Sequence, residues 1–435
     1  MFSKSLTQLK DKASKIRTSS LAKDSFWLLS SKGLNIFIQT AYFVILARTL
    51  GPSEYGVFVG ITALATMINS FASWGCSEIL VKHVSVDRSL LKYYWGNALL
   101  TVFVMGTLLT VLFTAIGPAL SGGNFPPVVI ALIFIADLIG FNISSASSAA
   151  FLATGQAKVT AFKSILIGFT KLLAAIALAL VLEQTTSLQW AYLYCFSTML
   201  PAILSIWMVN AWLDKPQVSI PRLKKEFVQG FYFSISQSSD FINENIDKIM
   251  LASAASLQAT GLYGAGFRIL TVFKIPILSV AGATFPRFFQ HGAEGISGSY
   301  RFAKKLLPMA FAYGLGMAVI TVVMSPYVEP LIGEGYAEID ALLKLLAPVP
   351  LLIALQIVVG DTLTGANHQS YRTSIQVFAA ALNVVLNLWL IPRYSWQGAA
   401  WATLISESTK VVGFSIAIFY LHNQQSKTPK VDEEE

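Results

Sequence analysis

Three acidic residues in one helical stretch carry the most informative chemistry in this sequence. Asp240, Glu244 and Asp247 recur at i, i+4 and i+7, so a helix over residues 227–253 places them on one face. A face with three carboxylates cannot lie in hydrocarbon and must line water or pair with other polar groups. We interpret these residues as candidates for binding a coupling cation. The alternative is a buried structural network in which Glu244 pairs with Lys248.

A second polar stripe lies in the first apolar stretch. Lys32, Asn35 and Gln39 recur at i, i+3 and i+7 and therefore share one helix face. Asn35 and Gln39 lie 205 positions before Asp240 and Glu244, respectively. Because the two stripes fall at corresponding places, we predict that both helices line one central cavity.

Basic residues inside other apolar stretches extend the candidate site. Arg268, Lys274 and Lys171 would give an anionic substrate a cationic lining, since Arg offers a planar donor fork and Lys a compact charge. Asp137 is a lone carboxylate in an apolar stretch, which suits proton coupling, and the alternative is a structural hydrogen bond to a neighbouring helix.

One acid–base pair leaves two interpretations open, and two amides extend the candidate site. Glu407 and Lys410 either belong to a cationic lining or form an ion pair at i, i+3. Gln237 and Asn243 lie within the acidic stretch and offer amide groups at the same depth.

Membrane-spanning helices must position these residues. Of the 435 residues, 54% are hydrophobic and only 12% are charged, about half the usual charged fraction of a soluble domain. This composition excludes a disordered chain and a disulfide scaffold. A spanning helix needs about 20 mostly apolar residues. Twelve such windows occur, at residues 26–47, 55–80, 94–120, 127–151, 164–182, 188–212, 227–253, 257–285, 306–327, 342–363, 374–391 and 399–421.

The basic residues indicate how the chain is oriented. With the N-terminus in the cytoplasm, the cytoplasmic segments hold 22 of the 31 Lys and Arg residues, Lys163 among them, and the outer loops hold 2. This positive-inside bias predicts a multi-pass plasma-membrane protein with both termini cytoplasmic. It also accounts for the net charge of +8 without nucleic acid.

An internal repeat divides the predicted spans into two halves. Gly56 aligns with Gly261 at an offset of 205, and residues 153–156 resemble residues 363–366 at an offset of 210. We predict an all-α polytopic membrane protein, with twelve transmembrane helices in two six-helix pseudo-symmetric halves around a central cavity. The predicted boundaries are a cytoplasmic basic segment at 1–25, a first half at 26–212, a cytoplasmic linker at 213–226, a second half at 227–421 and a cytoplasmic tail at 422–435.

The sequence carries no catalytic signature. The four histidines are scattered through predicted cytoplasmic segments without metal-ligand spacing, and there is no G-x-x-x-x-G-K nucleotide loop. Cys76 and Cys195 both lie in apolar stretches. We therefore expect a transporter rather than an enzyme, with no metal or cofactor apart from a coupling H+ or Na+.

Two motifs resemble a known family. The stretch Leu-Ala-Arg-Thr-Leu-Gly-Pro-Ser-Glu-Tyr-Gly-Val-Phe at 46–58 resembles the signature of bacterial polysaccharide flippases, and so does Ile-Pro-Arg-Tyr-Ser-Trp-Gln-Gly-Ala-Ala-Trp-Ala-Thr at 391–403. The chain is similar, over nearly its whole length, to Wzx-type O-antigen and capsule-unit transporters of the multidrug/oligosaccharidyl-lipid/polysaccharide exporter superfamily. Both motifs predict turns and helix packing rather than substrate contacts, since Gly51-Pro52 makes an outer turn and Gly56 begins the next helix.

The resemblance implies a function. It implies translocation of an undecaprenyl-pyrophosphate-linked oligosaccharide, an O-antigen, capsule or exopolysaccharide repeat unit, across the bacterial inner membrane by alternating access driven by an ion gradient. The implied partners are the lipid-linked substrate, membrane lipid, and the polymerase and chain-length regulator of the same pathway.

Residue roles under this function rest on the spans, since no family motif transfers them. The basic candidates would bind the pyrophosphate: Lys32, Lys171, Arg268 and Lys274. The amide candidates would bind the sugars: Asn35, Gln39, Gln237 and Asn243. The acidic candidates would couple transport to an ion: Asp137, Asp240, Glu244 and Asp247.

Two other functions stay open at this point. A drug/cation antiporter of the same superfamily would use the acidic stripe for a cationic drug, but the motif at 46–58 favours the flippase. A membrane polysaccharide polymerase or ligase would typically have a large outer loop, which this chain lacks.

Overall fold

A computed structural model describes residues 20–181 and 185–427, except for the side chains of residues 20–30, 236, 237, 239, 240, 242, 243, 426 and 427. Throughout these ranges the secondary structure is helical, without a β-strand. We number the α-helices in chain order as α1 Ser20–Ser73, α2 Cys76–Val84, α3 Leu91–Leu120, α4 Pro127–Phe134, α5 Asn142–Ala153, α6 Ala157–Val181, α7 Ser187–Trp212, α8 Ile220–Ala254, α9 Leu257–Gly292, α10 Ile296–Ile332, α11 Ile339–Leu346, α12 Val349–Gly365 and α13 Gln369–Lys427. Two 3₁₀ turns, Arg88–Leu90 and Glu334–Tyr336, and a π-helical segment, Ile135–Phe141, complete the described elements.

The helices are those of a multi-pass membrane protein. Nine stretches of the described chain are long and apolar enough to cross a membrane. Large apolar side chains such as Phe103 and Val111 on α3 are more than half exposed, as expected of a surface that faces lipid. α8 is not among the nine, because the polar run that includes Glu244 and Asp247 lies within it.

Two of the helices are much longer than a bilayer is thick. α1 has 54 residues and α13 has 59, which at a rise of about 1.5 Å per residue is far more than the roughly 30 Å of hydrocarbon. Each contains one non-helical residue, Gly51 in α1 (φ 67°) and Ser395 in α13 (φ 51°). Pro52 follows the first break and removes a backbone donor, which favours a new helix start there. Each long stretch therefore consists of two helices joined at a kink.

The chain divides into two compact units whose boundaries cut through two helices. Among the described residues, the first unit holds the chain up to Leu50 together with Gly60–Asn245, and the second holds Gly51–Val59 together with the chain from Ile246 onward. α1 and α8 therefore each contribute residues to both units.

The first unit fixes the beginning of α8 through its backbone and side chains. Asn97 on α3 donates from Nδ2 to the Ser219 carbonyl at 3.1 Å and accepts from the Ser219 N–H at 2.8 Å. The Trp74 indole donates to the Phe227 carbonyl at 2.9 Å and packs on the Phe227 ring. His83 lies 3.1 Å from the Glu226 carboxylate. Within the first unit, these contacts hold the segment before α8 and its first turns against α2, α3 and Trp74.

The glycines aligned by the predicted repeat contact each other within the second unit. A Cβ at Gly56 would lie 1.8 Å from the Leu257 carbonyl oxygen, and a Cβ at Gly261 would lie 1.9 Å from the Pro52 carbonyl oxygen. The offset from Pro52 to Leu257 is 205, the same as from Gly56 to Gly261. The contact is therefore reciprocal, and only residues without a side chain allow the two backbones to approach this closely.

Candidate functional site

The stripe predicted on α1 contacts α6 through Asn35. The Asn35 Nδ2 donates to Ser164 Oγ at 3.0 Å, and its Oδ1 is buried without a hydrogen-bond partner. Gly168 on α6 gives the amide room, since a Cβ there would lie 2.4 Å from Asn35 Oδ1. Lys32, one turn before Asn35, is exposed, and Gln39 is half-buried. The amide is thus held against α6 with one acceptor left for a donor.

Asp137, Tyr194 and Lys171 form one hydrogen-bonded line in the first unit. The Tyr194 hydroxyl on α7 donates to Asp137 Oδ1 at 2.6 Å. Lys171 Nζ on α6 donates to the same phenol oxygen at 3.0 Å and lies 4.3 Å from the centre of the ring. The sequence predicted Lys171 as a substrate-binding residue and Asp137 as an ion-coupling residue, and the structure joins them through Tyr194.

The π-helical segment determines where Asp137 lies. Asn142 follows this segment, and its Nδ2 donates to the Leu138 carbonyl at 2.9 Å and to Asn69 Oδ1 at 2.8 Å. A π turn holds one extra residue, so the side chains before and after it point in directions that a regular helix would not give. The Asn142 amide stabilises this irregular turn because it donates to a backbone carbonyl that lacks its regular helical hydrogen bond.

Tyr194 is the functional candidate that the sequence did not identify. It lies two residues after Tyr192 in an apolar, aromatic-rich stretch, where a tyrosine is typical of helix packing. Its spacing gives no signal, because its partners come from two other helical segments. The only available cue was general, since a buried tyrosine hydroxyl usually has a hydrogen-bond partner.

Lys163 lies inside helix α6, whereas the prediction placed it in the segment just before the span at 164–182. It is buried within α6, where Nζ donates to the Ser144 carbonyl at 3.1 Å and to Ser148 Oγ at 3.3 Å, and lies 5.7 Å from the Phe151 ring centre. The window from residue 164 missed the first two turns of α6, which begins at Ala157. The hydrogen bonds and the ring offset part of the cost of burying the ammonium.

Asp247 is the acidic candidate that the structure buries in the second unit. Its Oδ2 accepts from the Tyr263 hydroxyl on α9 at 2.6 Å, and its Oδ1 accepts from the Lys248 N–H at 2.8 Å. The Tyr263 hydroxyl lies 2.9 Å from Thr403 Oγ1 on α13. This line of hydrogen bonds links α8, α9 and α13.

The line continues along α13 through buried polar side chains. Ser406 Oγ donates to the Thr403 carbonyl at 3.0 Å and accepts from Asn383 Nδ2 at 3.2 Å. Asn387 Nδ2 donates to Asn383 Oδ1 at 2.9 Å. Asn387 is fully buried, and its Oδ1 has no hydrogen-bond partner. We call the residues from Asp247 to Asn387 in this line the buried polar network.

Glu407 and Lys410 form the ion pair that was one of the two interpretations of these residues. Their charged atoms lie 2.6 Å apart, and their side chains are only 14% and 8% exposed. Glu407 Oε2 is buried without a hydrogen-bond partner. Among the described residues of the second unit, Asn387 Oδ1 and Glu407 Oε2 are buried acceptors without a hydrogen-bond partner.

The other predicted site residues lie on α8 and α9. Arg268 is exposed on α9, and Lys274 on the same helix is half-buried. Glu244 is exposed on α8. Three predicted residues have side chains outside the described part of the structure, namely Gln237, Asp240 and Asn243.

The two units offer different chemistry. In the first, a cation, a phenol and a carboxylate share a line that can hold or release a proton. In the second, buried oxygens of one carboxylate, amides and hydroxyls are ligands that a hard cation prefers. Among the residues that the structure describes, no group of three or more His, Cys, Asp or Glu side chains could hold a metal ion.

The sequence is similar to those of known proteins over most of its length. A family model described as polysaccharide biosynthesis protein matches residues 21–291, more than half of the chain. An O-antigen transporter of Escherichia coli (strain K12) is 22% identical over 418 residues, which are 93% of this chain and 98% of that protein. A low-salt glycan biosynthesis flippase of Haloferax volcanii is 22% identical over 404 residues, 90% of this chain and 82% of that protein.

A solved structure shares the fold. An inward-facing multidrug resistance MATE family transporter of the MOP superfamily superposes with a TM-score of 0.74 at 14% identity, over 91% of this chain and 96% of that one. At this identity the likeness concerns the fold alone.

Proposed function

Because the chain belongs to the polysaccharide biosynthesis protein family, we propose that it is a flippase that moves a lipid-linked oligosaccharide across a membrane. The observation that carries this is the family match, to which relatives of similar length, named as an O-antigen transporter and a glycan flippase, add support. The predicted resemblance to polysaccharide flippases is thereby confirmed. The protein is a transporter and not an enzyme.

The substrate that best fits the predicted residues is an undecaprenyl-pyrophosphate-linked repeat unit. Its pyrophosphate would be bound by the basic candidates Lys32, Lys171, Arg268 and Lys274, since Lys and Arg are the usual phosphate ligands. Its sugars would be bound by the amide candidates Asn35, Gln39, Gln237 and Asn243. The Asn35 Oδ1, which has no hydrogen-bond partner, supports this role, because a sugar hydroxyl could donate to it.

Alternating access between two six-helix halves around a central cavity is the proposed mechanism. Three observations support twelve spans. The described chain has nine apolar stretches, and the breaks at Gly51 and Ser395 each divide one of them into two. α8 adds a more polar span. The reciprocal contact of Gly56 with Gly261 supports the repeat, because two repeat-related segments on a pseudo-two-fold axis contact each other isologously. The halves proposed are residues 26–212 and 227–421.

The bacterial inner membrane is the proposed location, with both termini in the cytoplasm. The excess of basic residues in alternate loops supports this orientation. The proposed partners are the lipid-linked substrate and membrane lipid, with a polymerase and a chain-length regulator acting on the product.

An ion gradient is the proposed energy source, with H+ or Na+ as the coupling ion. The candidates are Asp137, Asp240, Glu244 and Asp247. The buried polar network supports a site for a cation or a water at Asn387, the end of the network away from Asp247, because a buried acceptor that lacks a donor, such as Asn387 Oδ1, is costly unless a cation or a water satisfies it.

A transport assay tests the proposed function. We expect the purified protein in liposomes to move a fluorescent polyprenyl-pyrophosphate oligosaccharide between leaflets faster than protein-free liposomes do. Arg268→Ala is expected to lower this rate about tenfold, about 1.4 kcal/mol, because the variant removes a cation proposed to bind the pyrophosphate. The rate is measured with a reagent that cannot cross the membrane and quenches only the outer leaflet.

Arg287→Ala, on the same helix and also exposed, is the matched control and should transport at the unmodified rate. A rate no faster than that of empty liposomes would overturn the flippase. An unmodified rate in Arg268→Ala would remove Arg268 from the substrate site.

Asn387→Leu tests the cation site. The substitution conserves size but removes the unpaired buried oxygen together with the Nδ2 that donates to Asn383, so we expect stimulation of transport by an imposed Na+ or H+ gradient to fall about fivefold while the gradient-free rate is kept. Thr409→Val is the control, since that hydroxyl bonds only within its own helix, to the Ile405 carbonyl at 2.7 Å. Equal stimulation of Asn387→Leu and the unmodified protein would exclude Asn387 from the ion site.

A further inference from the structure

We propose that Tyr194 is a positioning residue that links the protonation of Asp137 to anion binding by Lys171. The inference rests on the proposed function, since the anion it concerns is the pyrophosphate of the lipid-linked substrate. The Tyr194 hydroxyl bonds to both groups, to Asp137 at 2.6 Å and to Lys171 at 3.0 Å.

The geometry sets the donor and acceptor roles. Tyr194 has one O–H, which it gives to the Asp137 carboxylate, so its oxygen is left to accept from the Lys171 ammonium. The position of Lys171 over the ring, 4.3 Å from its centre, adds a cation–π attraction that does not depend on the hydroxyl. The Tyr194 hydroxyl therefore lies between the Asp137 carboxylate and the Lys171 ammonium and couples the charge of one group to that of the other.

Protonation of Asp137 changes how strongly Lys171 binds an anion. While the carboxylate is ionised, it balances the Lys171 charge through the phenol. When Asp137 takes up a proton, the line carries a net positive charge in a desolvated place, where another anion is bound more strongly. Proton uptake by Asp137 and phosphate binding by Lys171 should therefore favour each other, and by linkage each effect has the same size.

Few other titratable groups face this line. α7 contributes Tyr192, which is exposed, and Cys195, whose thiol interacts with the Asp137 charge. α3 packs on the π-helical segment through Gly106, whereas its ionisable side chains lie in its first turn, at Lys92, Tyr93 and Tyr94.

α1 reaches Asn142 through Asn69 and Ser164 through Asn35, and the described side chains of its first-unit part include the ionisable groups of Lys32, Tyr42 and Arg48. α4 and α5 carry no ionisable side chain, and α6 carries Lys158 and Lys163 besides Lys171. Lys163 bonds to Ser144 and Ser148 and not to this line. Asp137 is therefore the carboxylate whose protonation the proposed linkage concerns.

Binding of undecaprenyl pyrophosphate to the purified full chain in detergent tests the linkage. We expect the affinity of the unmodified protein to rise about tenfold from pH 8 to pH 6, with net proton uptake measured by calorimetry in buffers of different ionisation enthalpy. Tyr194→Phe keeps the ring and should reduce this pH dependence to less than twofold. Asp137→Asn should also lose the pH dependence and should bind at pH 8 as tightly as the unmodified protein does at pH 6.

The controls separate this inference from the function on which it rests. Tyr192→Phe, two residues away and exposed, should keep both the affinity and the pH dependence. If the unmodified protein binds but Tyr194→Phe has the same pH profile, the positioning role is wrong. If Asp137→Asn weakens binding at every pH, the carboxylate holds Lys171 in place and is not the proton site, which also overturns the inference. No binding by the unmodified protein at any pH would instead count against the proposed substrate.

Discussion

Lys410→Met is expected to destabilise the protein by about 3–5 kcal/mol, because it leaves the Glu407 carboxylate buried without its cation. The two groups lie 2.6 Å apart with little exposure, and one Glu407 oxygen already lacks a hydrogen-bond partner. Loss of the ammonium therefore removes the main group that offsets the desolvation of the acid. The apparent melting temperature in detergent, followed by fluorescence-detected gel filtration, measures the effect.

Restoring neutrality should recover most of this loss. In the double variant Glu407→Gln with Lys410→Met, no charge is left unpaired, so its stability should lie much closer to that of the unmodified protein than Lys410→Met alone. Lys344→Met is the matched control, since its pair with Asp340 is similarly short, at 2.7 Å, but 47% and 33% exposed. An exposed pair is worth about 0–1 kcal/mol. If Lys410→Met costs no more than Lys344→Met, the Glu407–Lys410 pair is not effectively buried.

Alanine at Gly56 or at Gly261 is the second substitution with a large expected effect. The new methyl group would lie within 2 Å of a carbonyl oxygen in either case, so the two backbones would have to separate. Overpacking of this kind costs about 1–3 kcal/mol, and it acts here on backbone, which cannot change rotamer. We expect each variant to lower the melting temperature and the amount of folded protein in the membrane.

The two glycines share one reciprocal contact, so the costs of the two substitutions should not be additive. Because the first methyl group already separates the two segments, the double variant Gly56→Ala with Gly261→Ala should cost less than the two single variants together. Gly282→Ala on α9 is the control, since a Cβ there meets nothing within 4 Å. Additive costs would show that the two glycines do not share one contact.

The spans could be predicted from the sequence because hydrocarbon demands long apolar runs. The window at 188–212 differs from α7, Ser187–Trp212, by one residue at its start. Helices whose first turns are less apolar begin earlier than the predicted windows, since hydropathy does not mark where such a helix begins. α6 begins at Ala157 and α10 at Ile296, whereas the windows began at 164 and 306.

The candidate site was predictable in composition but not in its pairings. Intramembrane charge alone identified Asp137 and Lys171, because few such residues occur. Their connection through Tyr194 depends on a π turn and on which faces of α6 and α7 meet, and neither leaves a periodic signal. The gap between the windows at 374–391 and 399–421 predicted a break near Ser395, but not which residue carries it, since a serine rarely adopts a positive φ.

Because α1 and α8 each contribute residues to both units, the place at which two relatives of this protein can recombine is restricted. A chimaera joined at residues 213–226 would take Gly51–Val59 from one parent and the helix that it packs on from the other. The beginning of α8 would likewise come from one parent, whereas Trp74 and Asn97, which bond to it and to the segment before it, would come from the other. Parents that match at these two contacts should yield functional hybrids, so recombination that brings new sugar specificities is expected to keep both contacts and vary the polar stripes.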